Sequence, residues 1–232
     1  MRAPLSIVIP TLNAADHLRV TLASLMEGIE AGILRELIIS DGGSQDDTCQ
    51  IAEAAGAIVV TGGAGRGAQL QRGAEAAGGV WMLFLHADTQ LSSGWAQAVA
   101  EHLETESVGY FRLAFAATGF MPRLVATGAN LRSRFGLPYG DQGLLIRKDL
   151  YLKMGGYRDM PLMEDVEFVR RLRGHLKVLP VTATTSATRY QKGGWLRTSF
   201  RNIGTLARYQ MGADPDDLAR RYYDCSSSEN CN

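Results

Sequence analysis

The chain has 232 residues with 24 Lys plus Arg against 24 Asp plus Glu, so its formal net charge is zero and no global field draws it to nucleic acid. An apolar content of 46% marks a folded chain, and the length suits one large domain, alone or with a helical appendage. No apolar run approaches the roughly 20 residues of a membrane span, and Met1-Arg2-Ala3-Pro4 leads directly into a short strand, so the expected location is cytoplasmic. Cys49 falls in an amphipathic segment and reads as a core residue, while Cys225 and Cys231 flank a Ser-rich tail.

Taken in order, Leu5 to Pro10 is a short apolar strand, followed by Thr11-Leu12-Asn13. A helix follows with Leu18, Leu22, Leu25, Met26 and Ile29 at helical spacing and Asn13 as its expected N-cap. Glu36 to Asp41 is a second strand, and Asp46 or Asp47 caps the helix that Gly56 ends. Ala57 to Thr61 is the third strand, after which a Gly-rich break from Gly62 to Gly67 opens a helix through Gln69, Leu70 and Ala74. Val80 to Leu85 is continuously apolar, as a strand covered on both faces must be, and it ends in His86-Ala87-Asp88. Strands alternating with helices and never joined by two-residue hairpins predict an α/β fold with a mainly parallel central sheet flanked by helices.

Beyond Asp88 the pattern changes. Helices are expected over about 92–104 and 119–135, the second with Leu124 and Leu131 inward and Arg123, Arg132 and Arg134 outward. Tyr110 to Phe115 alternates as a half-buried strand should, and Tyr139 to Gly143 is a loop into the strand Leu144 to Ile146. Met163 to Arg173 is helical, and Leu176 to Leu179 and Thr182 to Thr188 read as antiparallel edge strands. Trp195 to Tyr223 forms two amphipathic helices split at Gly212 to Pro215. The expected organisation is a domain over residues 1–190, a helical extension over 191–224 and a flexible tail over 225–232.

Chemistry is expected where the parallel strands end, because their C-terminal mouths share one edge of a sheet and ligands bind there. That edge gathers Thr11 and Asn13, Asp41, and His86 with Asp88. Asp41 has the reach to accept hydrogen bonds from a base or ribose, and Asp88 to hold a cation against a diphosphate. The competing readings are a turn closed by Asp41 and a helix capped by Asp88. Gly63-x-Gly65-x-x-Ala68 matches a dinucleotide fingerprint in form but follows the wrong strand, so Arg66 with the amides of Gly65 and Gly67 reads instead as a loop over phosphates or base. Glu164 and Asp165 open a helix, where the helix dipole alone favours acids, and one of them at a pocket rim would serve as a general base. Asp141 and Gln142 offer hydroxyl-binding groups on the acceptor side, though turn formation explains that loop equally well.

Together these segments resemble the family 2 glycosyltransferases of the GT-A fold. The likeness rests on Ser-Ile-Val-Ile-Pro-Thr-Leu-Asn at 6 to 13, Glu-Leu-Ile-Ile-Ser-Asp-Gly-Gly-Ser-Gln-Asp-Asp-Thr at 36 to 48, Gly-Arg-Gly-Ala-Gln at 65 to 69, Phe-Leu-His-Ala-Asp at 84 to 88 and Met-Glu-Asp-Val-Glu-Phe at 163 to 168. The Gly-Arg-Gly and Leu-His-Ala-Asp-Thr variants look most like the selenodomain-associated transferases. The resemblance implies a nucleotide-diphosphate sugar donor, an acceptor hydroxyl, Mg2+ or Mn2+, and inversion at the anomeric carbon. It implies that Pro10, Thr11, Asn13, Asp41, Gly65, Arg66, Gln69, His86, Ala87 and Asp88 bind the donor, that Asp88 is the metal ligand and that Asp165, with Glu164 beside it, is the catalytic base. The chain departs from the family at His86, where the metal motif has its first acid. A sugar-nucleotide nucleotidyltransferase and a non-catalytic nucleotide- or glycan-binding module are the alternatives.

In the last segment Arg189, Lys192, Arg197, Arg201 and Arg208 accompany Trp195, Leu196, Phe200, Ile203 and Leu206. Such a basic amphipathic stretch suits either an anionic membrane carrying a lipid-linked acceptor or packing on the domain or a second subunit as a homodimer. Packing is the expectation, because Thr and Gly dilute the basic residues and Asp214, Asp216 and Asp217 follow them.

Overall fold

The computed structural model describes residues 3–227, with side chains through Tyr222. Eight strands make up one sheet: β1 (Leu5–Thr11), β2 (Leu34–Asp41), β3 (Ile58–Thr61), β4 (Trp81–Phe84), β5 (Thr89–Leu91), β6 (Val108–Phe115), β7 (Leu144–Arg147) and β8 (Leu176–Thr185). Their spatial order is β3-β2-β1-β4-β7-β6-β8-β5. Among the described residues Gly140–Gln142 forms a short 3-10 turn and eleven α-helices flank the sheet. In the first half they are α1 (Ala15–Ser24), α2 (Met26–Glu30), α3 (Thr48–Ala54), α4 (Arg66–Ala76) and α5 (Trp95–His102). In the second they are α6 (Phe120–Arg134), α7 (Lys148–Lys153), α8 (Glu164–Arg171), α9 (Thr188–Gly193), α10 (Trp195–Gln210) and α11 (Pro215–Ser227).

The first four strands pair in parallel, as their helical crossovers require. The rest of the sheet is mixed. β7 runs antiparallel to β4 and β6, β8 is parallel to β6, and β5 is antiparallel to β8. The expectation of a mainly parallel sheet therefore holds only for the first half. The two late edge strands are one continuous strand, β8, inside the sheet and not on its edge, and β5 lies beyond it. Three residues, Thr89-Gln90-Leu91, carry too little pattern to announce a strand such as β5, which depends on its partner.

This mixed topology positions the site. Phe84 at the end of β4 pairs with Leu144 at the start of antiparallel β7, so the loop before β7 lies on the same edge as the β4 mouth. Thr89 pairs with Thr185, so the end of β8 arrives beside the 86–88 turn. Two apolar layers cover the sheet. One joins Leu18, Leu22 and Leu25 to Ile7, Leu83, Trp95 and Phe111, and the other joins Leu70 and Ala74 to Val8, Phe84, Tyr157 and Phe168.

Several local expectations are corrected. Asn13 does not cap α1. It sits at φ 49°, and its side-chain oxygen accepts the Gln45 N–H at 2.9 Å. The start of α1 is instead held across the chain: the N–H of Ala14 donates to Thr48 Oγ1 at 2.8 Å and that of Ala15 to Asp46 Oδ2 at 3.1 Å. The long first helix breaks at Leu25, leaving Met26 and Ile29 exposed on α2. Leu124 and Leu131 do not face inward, being 49% and 54% exposed, because α6 turns its small residues to the sheet. Pro122, Ala126 and Ser133 are buried, and the Asn130 amide bonds both backbone groups of Leu113 at 2.8 and 3.0 Å. Cys49 is half-buried, and the expected tail from 225 falls in α11 as far as Ser227, with Cys231 outside the described residues. Among the described residues no helix is long and apolar enough to cross a membrane.

The orientation of α6 is testable by urea unfolding. Leu124→Ser should change stability by no more than about 0.5 kcal/mol, as expected for an exposed site. Ala126→Leu, which forces bulk between α6 and the sheet, should cost about 1–3 kcal/mol.

Candidate active site

A cavity of about 430 Å³ opens where the mouths of β4 and β8 meet the loop before β7 and the start of α8. Asp88, Asp141 and Asp165 line it with Arg66 and His86. Four segments far apart in sequence thus deliver these five side chains to one cleft.

Arg66, the first residue of α4, is central to the charge pattern. Its Nε lies 3.1 Å from Glu164 Oε1, and its guanidinium meets the His86 imidazole, approaching Nδ1 at 2.9 Å. Gly67 allows α4 to sit close enough, since a Cβ there would stand 2.1 Å from the carbonyl oxygen of Arg158 and 2.7 Å from the Met160 nitrogen. Burial, then the charges of Arg66 and Arg189, push the His86 pKa well below its ordinary value, so the ring is neutral at physiological pH and offers the guanidinium a bare nitrogen. Glu164 is buried and its carboxyl is pushed up to about 7, because desolvation and the neighbouring Asp165 outweigh the attraction of Arg66.

Asp165 follows in the first turn of α8. Its Oδ2 accepts the Gly140 N–H at 2.8 Å and its Oδ1 the Val166 N–H at 2.7 Å, which fixes the carboxylate plane. Gly140 is required by this approach: a Cβ would lie 2.6 Å from His86 Nε2 and 3.4 Å from Asp165 Oδ2. Asp141 is next in the same short 3-10 turn. Its Oδ1 is buried without a hydrogen-bond partner, and burial pushes its carboxyl up to about 6, with Arg132 and Arg66 opposing and Asp165 and Asp88 adding to the rise. Asp88 is held by its surroundings, with Oδ1 3.3 Å from the Thr185 hydroxyl and its carbonyl accepting the Ser186 N–H at 3.2 Å.

The donor set can be weighed against a divalent cation. Mg2+ is usually bound by one or two carboxylates together with substrate phosphates and waters. Asp88, with the orphaned oxygen of Asp141 in the same cavity, fits an ion shared with a diphosphate. It does not fit an ion caged by protein alone, since no group of three or more His, Cys, Asp or Glu among the described residues is placed for one.

Other expected site residues lie apart from this cavity. Asp41 is only 1% exposed, and its oxygens accept from Thr11 Oγ1 at 2.9 Å, from the N–H groups of Gly43 and Ser44 at 2.7 Å each, and from the Ser44 hydroxyl. It closes the β2 turn, and these bonds hold its pKa below the usual carboxylate value despite burial. Gln69 is buried and donates to the carbonyls of Thr11 at 2.6 Å and Ser40 at 3.0 Å, so it fastens α4 to the β1 and β2 mouths. Pro10 and Thr11 lie within β1, Ala87 accepts the Thr21 hydroxyl at 2.8 Å through its carbonyl, and Gly65 precedes α4. Gln142 is fully buried, donating to the Phe111 carbonyl at 3.0 Å and accepting from the Ser133 hydroxyl. Its amide supports the Asp141 turn from beneath.

The sequence did not announce the far wall. Tyr139, Arg189, Tyr190, Asn202 and Tyr222 line the same cavity from the loop before β7 and from α9, α10 and α11. Tyr139 lies beneath the Arg132 guanidinium at 3.3 Å, and burial pushes its hydroxyl up to about 12. Arg189 Nη1 donates to Tyr222 Oη at 2.8 Å. The only sequence signal was an aromatic and basic composition shared with ordinary amphipathic helices.

The model of glycosyl transferase family 2 matches residues 6–143. The chain belongs to that family, and its α/β architecture is the GT-A fold. Among solved structures it is similar to S. aureus TarS 1–349, with TM-score 0.60 and 15% identity over 95% of this chain and 70% of that one. It is also similar to TarS 1–349 in complex with UDP, with TM-score 0.59 and 17% identity over the same shares. Glucosyl-3-phosphoglycerate synthase from Mycobacterium tuberculosis, in complex with Mn2+, UDP and glucosyl-3-phosphoglycerate, has TM-score 0.52 and 23% identity over 79% of this chain and 70% of that one. No curated protein sequence matches the chain.

The raised Asp141 carboxyl links stability to pH. In the unfolded chain it ionises near 4, and in the folded chain near 6, so stability falls as pH rises between these values and stays lowered above them. Asp141→Asn should therefore raise the melting temperature at pH 8 by several degrees and leave it nearly unchanged at pH 4, as read by thermal denaturation.

Proposed function

We propose that this glycosyltransferase moves a sugar from a nucleoside-diphosphate donor to an acceptor hydroxyl by a single in-line displacement with inversion. The observation that carries the reading is that Asp88 and Asp165, 77 positions apart by subtraction of their numbers, line one cavity with Arg66 between their segments. The bound UDP of the TarS and glucosyl-3-phosphoglycerate synthase structures supports uridine diphosphate as the first donor nucleotide to test.

In this reading the nucleoside lies over the mouths of β1 and β2. Thr11 and Asp41 form its floor, and Asn13 and Arg66 its rim. The diphosphate reaches the 86–88 turn, where Asp88, joined by Asp141, would hold Mg2+ or Mn2+. Such a cation supplies positive charge against the leaving diphosphate. Arg66 supplies further positive charge from the protein itself, and a neutral His86 adds none that would repel a metal. Asp165 takes the proton of the acceptor hydroxyl as that oxygen bonds to the anomeric carbon. The carbon–oxygen bond to the diphosphate breaks, and the nucleoside diphosphate leaves with the electron pair. The Gly140 N–H orients Asp165 without using all its lone pairs, so the carboxylate can still accept a proton. Tyr139, Asp141 and Tyr190 form the wall against which the acceptor rests. In this reading the stretch 191–224 also contributes to the wall, through Asn202 and Tyr222.

Asp165→Asn should lower turnover by about 100- to 10,000-fold with little change in UDP affinity by calorimetry, the pattern of a lost general base. Asp88→Ala should weaken Mn2+-dependent UDP binding instead. Nucleoside-diphosphate release from a panel of sugar nucleotides is the expected product signal. Pyrophosphate release, or binding with no turnover on any donor, would overturn transfer.

A further inference from the structure

α10 is packed against the protein by its polar side. Thr198 and Thr205 are buried, and Asn202 lines the cavity and donates to Tyr190 Oη at 3.2 Å. The opposite side carries Leu196, Phe200, Ile203 and Met211, all exposed, with Phe200 at 70% and Met211 at 78%. At 3.6 residues per turn, positions 196, 200, 203 and 211 fall within roughly 80° of one another, so they form one stripe. α10 thus packs on the domain through Trp195 and its hydrogen-bonding side, while Leu196, Phe200 and Ile203 stay exposed.

α6, which α10 touches, repeats the arrangement. Phe120, at 75% exposure, joins Leu124, Leu131 and Phe135 on a stripe about 60° wide. The inner sides of both helices belong to one small core, in which Ala126 and Val125 of α6 and Trp195 of α10 surround Phe115. Both apolar stripes therefore face away from that core.

Charge singles out the same helices. The whole chain is neutral, yet α6, α9 and α10 contain no Asp or Glu. They carry Arg123, Arg132 and Arg134, then Arg189 and Lys192, then Arg197, Arg201 and Arg208. Arg197, Arg201 and Arg208 run along one flank of the α10 stripe, at about 100–140° from Leu196. The acids Asp214, Asp216 and Asp217 lie past the end of α10. Arg132 is engaged by Tyr139, and Arg189 and Arg201 by Tyr222, which leaves Arg123, Arg134, Lys192 and Arg208 exposed on these acid-free helices. Exposed Phe, Leu and Ile beside those cations match an anionic bilayer, whose headgroups meet the positive charges while the acyl boundary receives the apolar stripe. A second copy of the chain would place the same basic helices against each other, which like-charge repulsion opposes.

We infer that the outer face of α6 and α10 docks on an anionic membrane surface. The inner side of α10 walls the cavity, so the catalytic cleft then lies about one helix diameter, roughly 10 Å, from the bilayer. An acceptor hydroxyl carried on a lipid would reach it without leaving the surface. That consequence rests on the transfer reading above. The docking does not, and the two fail separately because flotation needs no turnover.

The test is flotation of the full chain with vesicles of equal phosphatidylcholine and phosphatidylglycerol, and with phosphatidylcholine alone. Co-flotation with the anionic vesicles, weakened at least tenfold by Phe200→Ser with Ile203→Ser and by high salt, is the expected result. Arg123→Glu with Arg208→Glu, both exposed side chains, should weaken it similarly while leaving the circular dichroism melt in place. The wild-type comparison of the two vesicle types at low and high salt tests the inference even if a variant fails to fold. Absence from the anionic vesicles at low salt would overturn it. So would equal flotation with both lipids, or a dimer by sedimentation that the Phe200 and Ile203 changes split in a chain that never floats.

Discussion

The cavity depends on the guanidinium of Arg66. It joins the start of α4 to the β4 mouth through His86 and to the start of α8 through Glu164. Three segments separated in sequence are tied together by one delocalised cation with several donors, which a Lys ammonium could not match in geometry. The same charge partly offsets the cost of gathering Asp88, Asp141, Glu164 and Asp165 in a small volume. The offset is incomplete. The carboxyls of Asp141 and Glu164 are still pushed up to about 6 and about 7. Burial is the main cause, with the neighbouring carboxylates adding to it, so the site favours additional positive charge, which the cation of the proposed donor complex would supply.

His86 fits this arrangement. A carboxylate at that position would add another negative group and draw Arg66 away from Glu164. A neutral imidazole accepts a hydrogen bond from Arg66 with no net charge. The departure from the family's usual acid is thus matched by a neighbour in this chain. Gly140 is the complementary steric condition, because any side chain there would collide with the imidazole and crowd Asp165.

The sequence conveyed much of the first half and less of the second. β1, β2 and β4 were legible because strands covered on both faces must be uniformly apolar, and the polar residues that end them mark the functional edge. Asp88 and Asp165 were legible as candidates for the same reason, their residue type and position in the chain. The readings of Asn13, Leu124 and Leu131 failed where a distant partner took over a local role. Asp46 and Thr48 hold the start of α1 in place of Asn13, and the bonds from the Asn130 amide of α6 to Leu113 of β6 decide which side of α6 faces the sheet. Periodicity shows that a helix has two faces, but it cannot say which one packs when polar groups find buried partners.

The sequence by itself determined the α/β class, the edge of the sheet on which the strand-ending polar residues gather, and the acidic and basic residue types available there, because these follow from local pattern and from the direction of parallel strands. Tertiary structure alone decided that β7 enters antiparallel beside β4 and so brings Gly140 and Asp141 over His86. It also decided that α9 to α11 close the cavity with their polar side and leave the apolar side of α10 outward. Both outcomes turn on pairings between segments far apart in the chain, where the energy of a contact depends on what lies opposite and not on the residues that precede it.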